Sequence, residues 1–196
     1  MLVEYTDSEK ARLEEYCSRH KLKLKEFIAR GHSARIFLVL KGKKKLAAKI
    51  ERDDSPREKM LEREAFNLKL ANSIGIGPKL VAYDFHARIL LMDFVEGPTF
   101  RDWVFEKKRK KNETKKFLDK LVKQAEKLDS IGLDHGQLAG RGVNILAKKG
   151  KPEKPVIIDF EKASSDRKCH NSRVIESVLF KNKKSAITKR IAKLLK

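Results

Sequence analysis

Residues 31–50 read Gly31-His32-Ser33-Ala34-Arg35-Ile36-Phe37-Leu38-Val39-Leu40-Lys41-Gly42-Lys43-Lys44-Lys45-Leu46-Ala47-Ala48-Lys49-Ile50. Two apolar runs, 36–40 and 46–50, flank Gly42 and a cluster of lysines, which predicts a β-hairpin. Working outward, residues 23–50 read as strands. On the N-terminal side, Thr6-Asp7-Ser8-Glu9 has capping-box spacing and opens a short helix that ends near His20. On the C-terminal side, Asp54-Ser55-Pro56 is expected to open a helix of about 17 residues. Met60, Leu61, Ala65, Leu68, Leu70 and Ala71 follow its apolar period. Ile74-Gly75-Ile76-Gly77-Pro78 stops that helix, and 80–83 and 89–92 read as two further strands.

Glu96-Gly97-Pro98 reads as a hinge. Residues 99–131 are then mostly helical, interrupted by the basic run 107–111. Two short strands follow, around 144–146 and 156–158, joined by the turn-rich 149–152. Residues 184–196 form a basic amphipathic helix carrying Ile187, Ile191, Leu194 and Leu195. The expected organisation is an α+β fold with a helical N-terminal extension (1–22), an N-terminal lobe (23–97) and a reduced helical C-terminal lobe (98–196).

With 196 residues, 40% of them hydrophobic, the chain is long enough to bury a real core. Its 47 basic and 27 acidic side chains give a formal net charge of +20. Such a balance suits a highly charged surface, as in heat-adapted proteins, or a polyanion partner such as RNA, bound with release of counterions. Cys17 and Cys169 match no metal spacing and no disulfide framework. The N-terminus does not read as a signal peptide, and no stretch approaches the ~18 apolar residues of a membrane span. The expected location is cytoplasmic.

Several residues carry candidate chemistry. Gly31, with small Ser33 and Ala34, lets a backbone approach phosphate oxygens closely, although a glycine between strands is equally an ordinary turn. Lys49 lies in an otherwise apolar strand, where an ammonium is costly unless paired. It is either an edge-strand lysine reaching solvent or the partner of a helical carboxylate, with Glu64 first and Glu62 or Glu58 as substitutes. Asp159 follows Val156-Ile157-Ile158 and sits where a hard Mg²⁺ ion can be held, or where a strand merely ends. Asn144 precedes the partner strand, so the hairpin brings both to one end. In the loop 133–146, His135 is a structural hydrogen-bonder and Asp134 a surface carboxylate or a catalytic one. Gln137 can orient a hydroxyl or water but cannot take up a proton near neutral pH. Taken in this order, the set is what an ATP-dependent phosphotransferase of the kinase fold needs.

Glu62-Arg63-Glu64-Ala65, Gly77-Pro78, Leu91-Met92-Asp93-Phe94-Val95-Glu96-Gly97 and Ile158-Asp159-Phe160 resemble, in order, the small atypical protein kinases. These are the RIO family, the kinase subunit of the KEOPS tRNA-modification complex, and an archaeal group of serine/threonine kinases related to both. The resemblance covers roughly residues 24–163. It implies a two-lobed kinase-like fold, with ATP and Mg²⁺ as cofactors. Gly31, His32, Ser33 and Ala34, through to Arg35, would cover the phosphates. Lys49 would bind them, with Glu64 as its salt-bridge partner. Met92 would gate the adenine pocket, and Asp93 to Val95 would supply backbone contacts to the base. Asn144 and Asp159 would be metal ligands.

Two departures stand out. Gln137 occupies the place of the aspartate that serves those families as catalytic base. The spacer 138–143 before Asn144 is longer than theirs, which could bring Arg141 to the γ-phosphate or Asp134 to the substrate hydroxyl. The expected function is therefore a slow, ATP- and Mg²⁺-dependent serine/threonine kinase acting on a protein substrate or on itself. Its surface suits a ribosome- or tRNA-associated partner. The alternatives are a non-catalytic ATP-binding module in an RNA-protein assembly, and a small-molecule phosphotransferase of the aminoglycoside-kinase type.

Overall fold

A computed structural model describes residues 5–55, 59–106, 109–139 and 141–196. Pro56, Glu58, Lys107, Lys108 and Gly140, on which expectations above rest, lie outside the described residues. The chain divides into two compact units, one comprising Met1–Lys69 and Pro78–Phe94, the other Leu70–Gly77 and Val95–Lys196. The architecture is α+β: a five-stranded antiparallel sheet with helices, followed by a mainly helical part.

In the first unit, α1 (Asp7–Arg19) begins with the expected capping box, Thr6 accepting from the Glu9 amide and Glu9 accepting from the Thr6 amide. Strands β1 (Lys23–Arg30), β2 (Ala34–Lys41), β3 (Lys44–Glu51), β4 (Leu80–Asp84) and β5 (Ile89–Asp93) assemble in the order β1-β2-β3-β5-β4. The β2–β3 hairpin turns at Gly42, whose φ of +60° suits a residue without a Cβ. Side chains alternate across a strand, so β3 serves two faces. Leu46, Ala48 and Ile50 join Phe37, Val39, Ile89 and Leu91 in a core that α1 completes with Leu13, Tyr16 and Cys17. Lys49 lies on the opposite face, in register with Ile36 of β2 and Leu90 of β5.

Helix α2 runs Met60–Ser73 and does not include Asp54 or Ser55, where the sequence placed its start. Lys59 adopts a φ of +57°, which a continuing right-handed helix cannot contain. The helix instead receives a tertiary cap: the buried Glu51 carboxylate accepts from the Leu61 amide at 3.4 Å. Gly75 and Gly77, with φ of +74° and +82°, follow its C-terminus.

In the second unit, α3 (Phe100–Phe105) and α4 (Lys111–Ser130) stack Phe100, Trp103 and Phe117 on one another, and the Arg109 guanidinium covers the Trp103 ring. Strands β6 (Ile145–Ala147) and β7 (Pro155–Ile157) pair antiparallel. The segment read as a hinge is hydrogen-bonded alongside β6, the Ala147 amide donating to Pro98 and the Lys149 amide to Glu96. Helix α5 (Asn171–Glu176) passes into a π-helical turn, Ser177–Lys181, neither of which the sequence announced. Helix α6 (Ala186–Leu194) closes the unit through Ile187 and Ile191. No helix among the described residues is long and apolar enough to cross a membrane.

Candidate functional site

In the first unit the decisive pair is Lys49 and Glu64. Strand β3 is central, paired on both sides, so Lys49 is not an edge residue with access to water. It is 5% exposed, Glu64 is 1% exposed, and Nζ stands 2.6 Å from Oε2. Of the candidate carboxylates on α2, Glu64 is therefore the partner. Glu62 bears instead on Tyr83, whose phenol is pushed up to about 12 by burial, reinforced by the Glu62 and Glu51 charges.

The glycine turn is closed by the Gly31 amide donating to the Ala34 carbonyl at 2.8 Å, and a Cβ at position 31 would stand 3.0 Å from that oxygen. Arg52 takes up the turn's carbonyls: its guanidinium reaches His32 at 2.8 Å and Gly31 at 3.5 Å, and its amide donates to Ser33. The amides of His32 and Ser33 make no hydrogen bond among the described residues. Ser33 is 1% exposed, and its Oγ is buried without a partner among the described residues. Two backbone amides are thus without a partner among the described residues, in a backbone that glycine lets a ligand approach closely. Arg35, at the end of this turn, is directed elsewhere, at Glu9.

Met92 is buried on β5, beside Ala47 of β3. The Asp93 amide donates to Lys79 and the Phe94 amide to Lys45, while the Asp93 carboxylate meets Lys44 at 2.6 Å. Neither of these amides is available to a purine. Val95, which begins the next stretch of the second unit, makes no hydrogen bond among the described residues.

In the second unit, the Ile158 amide donates to the Asn144 carbonyl at 2.9 Å, extending the β6–β7 register by one pair. Asn144 and Asp159 consequently leave the same end of the hairpin. Asp159 adopts a left-handed conformation, φ +68° and ψ +68°, a strained state at the point where the chain enters a 3₁₀ turn at Phe160–Lys162. Asn144 Nδ2 lies 3.4 Å from the Gln137 carbonyl, so Gln137 joins this pair, and its own Oε1 is buried without a hydrogen-bond partner. Asp134 is engaged on another side: its carboxylate meets Arg167 at 2.9 Å and its backbone bridges Ser164. Arg141 lines a groove of about 720 Å³ with Arg101, Phe105 and Ile187. Gly142, the next residue, packs so closely on Phe100 that a Cβ would stand 3.0 Å from the ring. Gln137, Asn144 and Asp159 are brought together; Arg141 is not among them.

What holds this loop is a buried network that the sequence did not disclose. Asp129 accepts from the Asn171 amide, from Asn171 Nδ2 and from the Ser172 amide. Burial pushes the Asp129 carboxyl up, but these hydrogen bonds outweigh it and leave it below the usual range. Asn171 in turn accepts from the His135 amide, and His135, fully buried, donates Nε2–H to the Ile158 carbonyl at 3.0 Å.

Burial holds His135 below its ordinary value of 6.5, against the raising effects of the Ile158 carbonyl and the Asp159 charge. A histidine lowered in the native state contributes stability above pH 6.5 that is lost as pH falls toward its folded value, because only unfolded chains take up the proton. We expect stability to fall by up to about 1.4 kcal/mol per pH unit in that window. His135→Gln should flatten the slope, measured by urea unfolding at pH 7 and pH 5. An unchanged slope in the variant would assign the effect to other groups.

Among the described residues no group of three or more His, Cys, Asp or Glu side chains could hold a metal by itself. One carboxylate and one amide oxygen fit the way Mg²⁺ is usually held, by few protein oxygens together with substrate phosphates and water. No protein-family model and no curated protein matches the chain.

Proposed function

We propose that this protein is an ATP- and Mg²⁺-dependent phosphotransferase, a small serine/threonine kinase of atypical, RIO-like type, with a kinase-like fold. The observation that carries the reading is the buried Lys49–Glu64 pair on a central strand. Apolar residues of similar volume often stabilise a protein as well as or better than a buried ion pair, so such a pair points to a use other than stability. A lysine held there by a carboxylate is a fixed cation for phosphate oxygens. The amides of His32 and Ser33, without a partner among the described residues, suit the same anion.

When bound, ATP supplies the phosphoryl group and Mg²⁺ neutralises its charge. Lys49 binds phosphate oxygens, with Glu64 aiming it. Asn144 and Asp159 hold the cation, and Gln137 orients the acceptor hydroxyl or water. Met92 borders the purine, and Val95 offers a backbone contact to it. Phosphoryl transfer depends chiefly on positioning and charge stabilisation, so absence of a titratable base predicts slow turnover. Asp134, paired with Arg167, plays a supporting role in the loop. The basic surface suits an acceptor on a ribonucleoprotein, or the protein's own hydroxyls.

The test is transfer of labelled γ-phosphate with Mg²⁺ in wild type and Asp159→Ala. We expect measurable label or released phosphate in wild type and a loss of about 100-fold or more in the variant. A second reading, a nucleotide-binding module without turnover, is favoured by Gln137 alone. Nucleotide binding without transfer in either protein would select it.

A further inference from the structure

We infer that α1 is a positioning element for the glycine turn, acting through a buried ion pair between Glu9 and Arg35; the inference rests on reading that turn as a phosphate site. Glu9 is 1% exposed and Arg35 3% exposed, with Oε2 3.3 Å from Nε. As a capping residue Glu9 needs only to reach back to the Thr6 amide, a task performed at helix surfaces. Here the same carboxylate is taken out of water, accepts from the Asp53 amide at 3.1 Å and faces a guanidinium. Among the described residues neither Arg35 Nε nor Nη1 makes a hydrogen bond there. Stability does not favour such an arrangement, since desolvating two charges costs several kcal/mol each and an incompletely bonded pair does not recover it.

The location supplies the reason. Arg35 directly follows the turn, and Asp53 directly follows Arg52, the residue that takes up the turn's carbonyls. Helix α1 grips one chain leaving the turn, β2, and the end of the neighbouring strand β3, which Arg52 follows. It holds β2 through Glu9 and Arg35. It holds the end of β3 through Asp53, which meets Arg12 at 2.7 Å and Thr6 Oγ1 at 3.0 Å. Arg12 also donates to the Glu51 carbonyl at 2.8 Å. With both strands fixed, the turn's carbonyls stay on Arg52 and the amides of His32 and Ser33 stay aimed at a ligand. Such preorganisation acts on phosphate binding and leaves the nucleoside unaffected.

The experiment compares ATP and adenosine affinities by calorimetry for wild type, Glu9→Gln and Arg52→Gln. Glu9→Gln keeps the side-chain shape and removes the charge facing Arg35. Arg52→Gln releases the turn from the other side and keeps the test in force should the buried substitution fail to fold. Both are expected to weaken ATP by about tenfold while leaving adenosine within about twofold. Equal loss for the two ligands, or none, overturns the role of α1 when seen in Glu9→Gln, and overturns the turn through which α1 would act when seen in Arg52→Gln; either leaves the nucleotide reading standing. A wild type that binds neither ligand removes that reading, and this inference with it.

Discussion

Lys49→Met is expected to destabilise the protein by about 3–5 kcal/mol, because it removes the ammonium facing a carboxylate that is 1% exposed. The double variant Lys49→Met/Glu64→Leu is expected to recover most of that loss. Two apolar side chains of similar volume fill the same space without the cost of desolvating charge. Both variants should fail to transfer phosphate, including the double one in which stability is restored. Urea unfolding of wild type, both single variants and the double variant yields the coupling between the two positions, and a γ-phosphate assay on the same four proteins reports function. A double variant as stable as wild type and equally active would show that the pair serves neither purpose. A stable, inactive one is the result the proposed function requires.

Gln137→Asp is expected to raise turnover about 10²–10⁴-fold, the usual contribution of a positioned general base. The wild-type amide cannot accept a proton, whereas a carboxylate at the same place can. The position is tied to the candidate metal ligands, since the Gln137 carbonyl lies 3.4 Å from Asn144 Nδ2, and Gln137 Oε1 has no hydrogen-bond partner among the described residues. The gain should carry a pH signature, rising as the new carboxylate ionises, which wild type lacks. Unchanged turnover with intact ATP affinity would mean that position 137 does not face the acceptor, and would favour the non-catalytic module.

The elements of this protein were largely legible because their signals are local. The hairpin around Gly42, the capping box at Thr6 and the break at Gly75 and Gly77 depend on backbone conformation within a few residues. The start of α2 was misplaced because Ser55 and its neighbours imitate a cap, whereas the helix is capped by Glu51 at the end of the preceding strand. Helix α5 and its π turn were missed because 171–181 carries mixed polar and apolar residues without a clean period.

Within the candidate site, the residue types and their order could be read directly. Lysine in an apolar strand, aspartate after a buried strand and asparagine before its partner strand each restrict what the chain can do. Their status could not be read. Lys49 as an edge residue and Lys49 as a buried ion-pair partner look identical in sequence; the difference is that β5 crosses back to pair with β3 on its far side. The sequence left the place of Arg141 open, and only the structure shows it lining a groove with Arg101, Phe105 and Ile187.

Sequence alone determined the α+β class, the strands and helices with clean local signals, and the residue types from which the candidate site is drawn. Those follow from dihedral preference and apolar period, properties each residue carries with its neighbours. Tertiary structure alone decided that Glu64 answers Lys49, that Glu9 answers Arg35, and that Asp129, Asn171 and His135 hold the loop bearing Gln137. Each of these is a buried polar contact between residues far apart in the chain or on separate elements. A charge withdrawn from water must find a partner, but nothing in its own surroundings along the chain says which one.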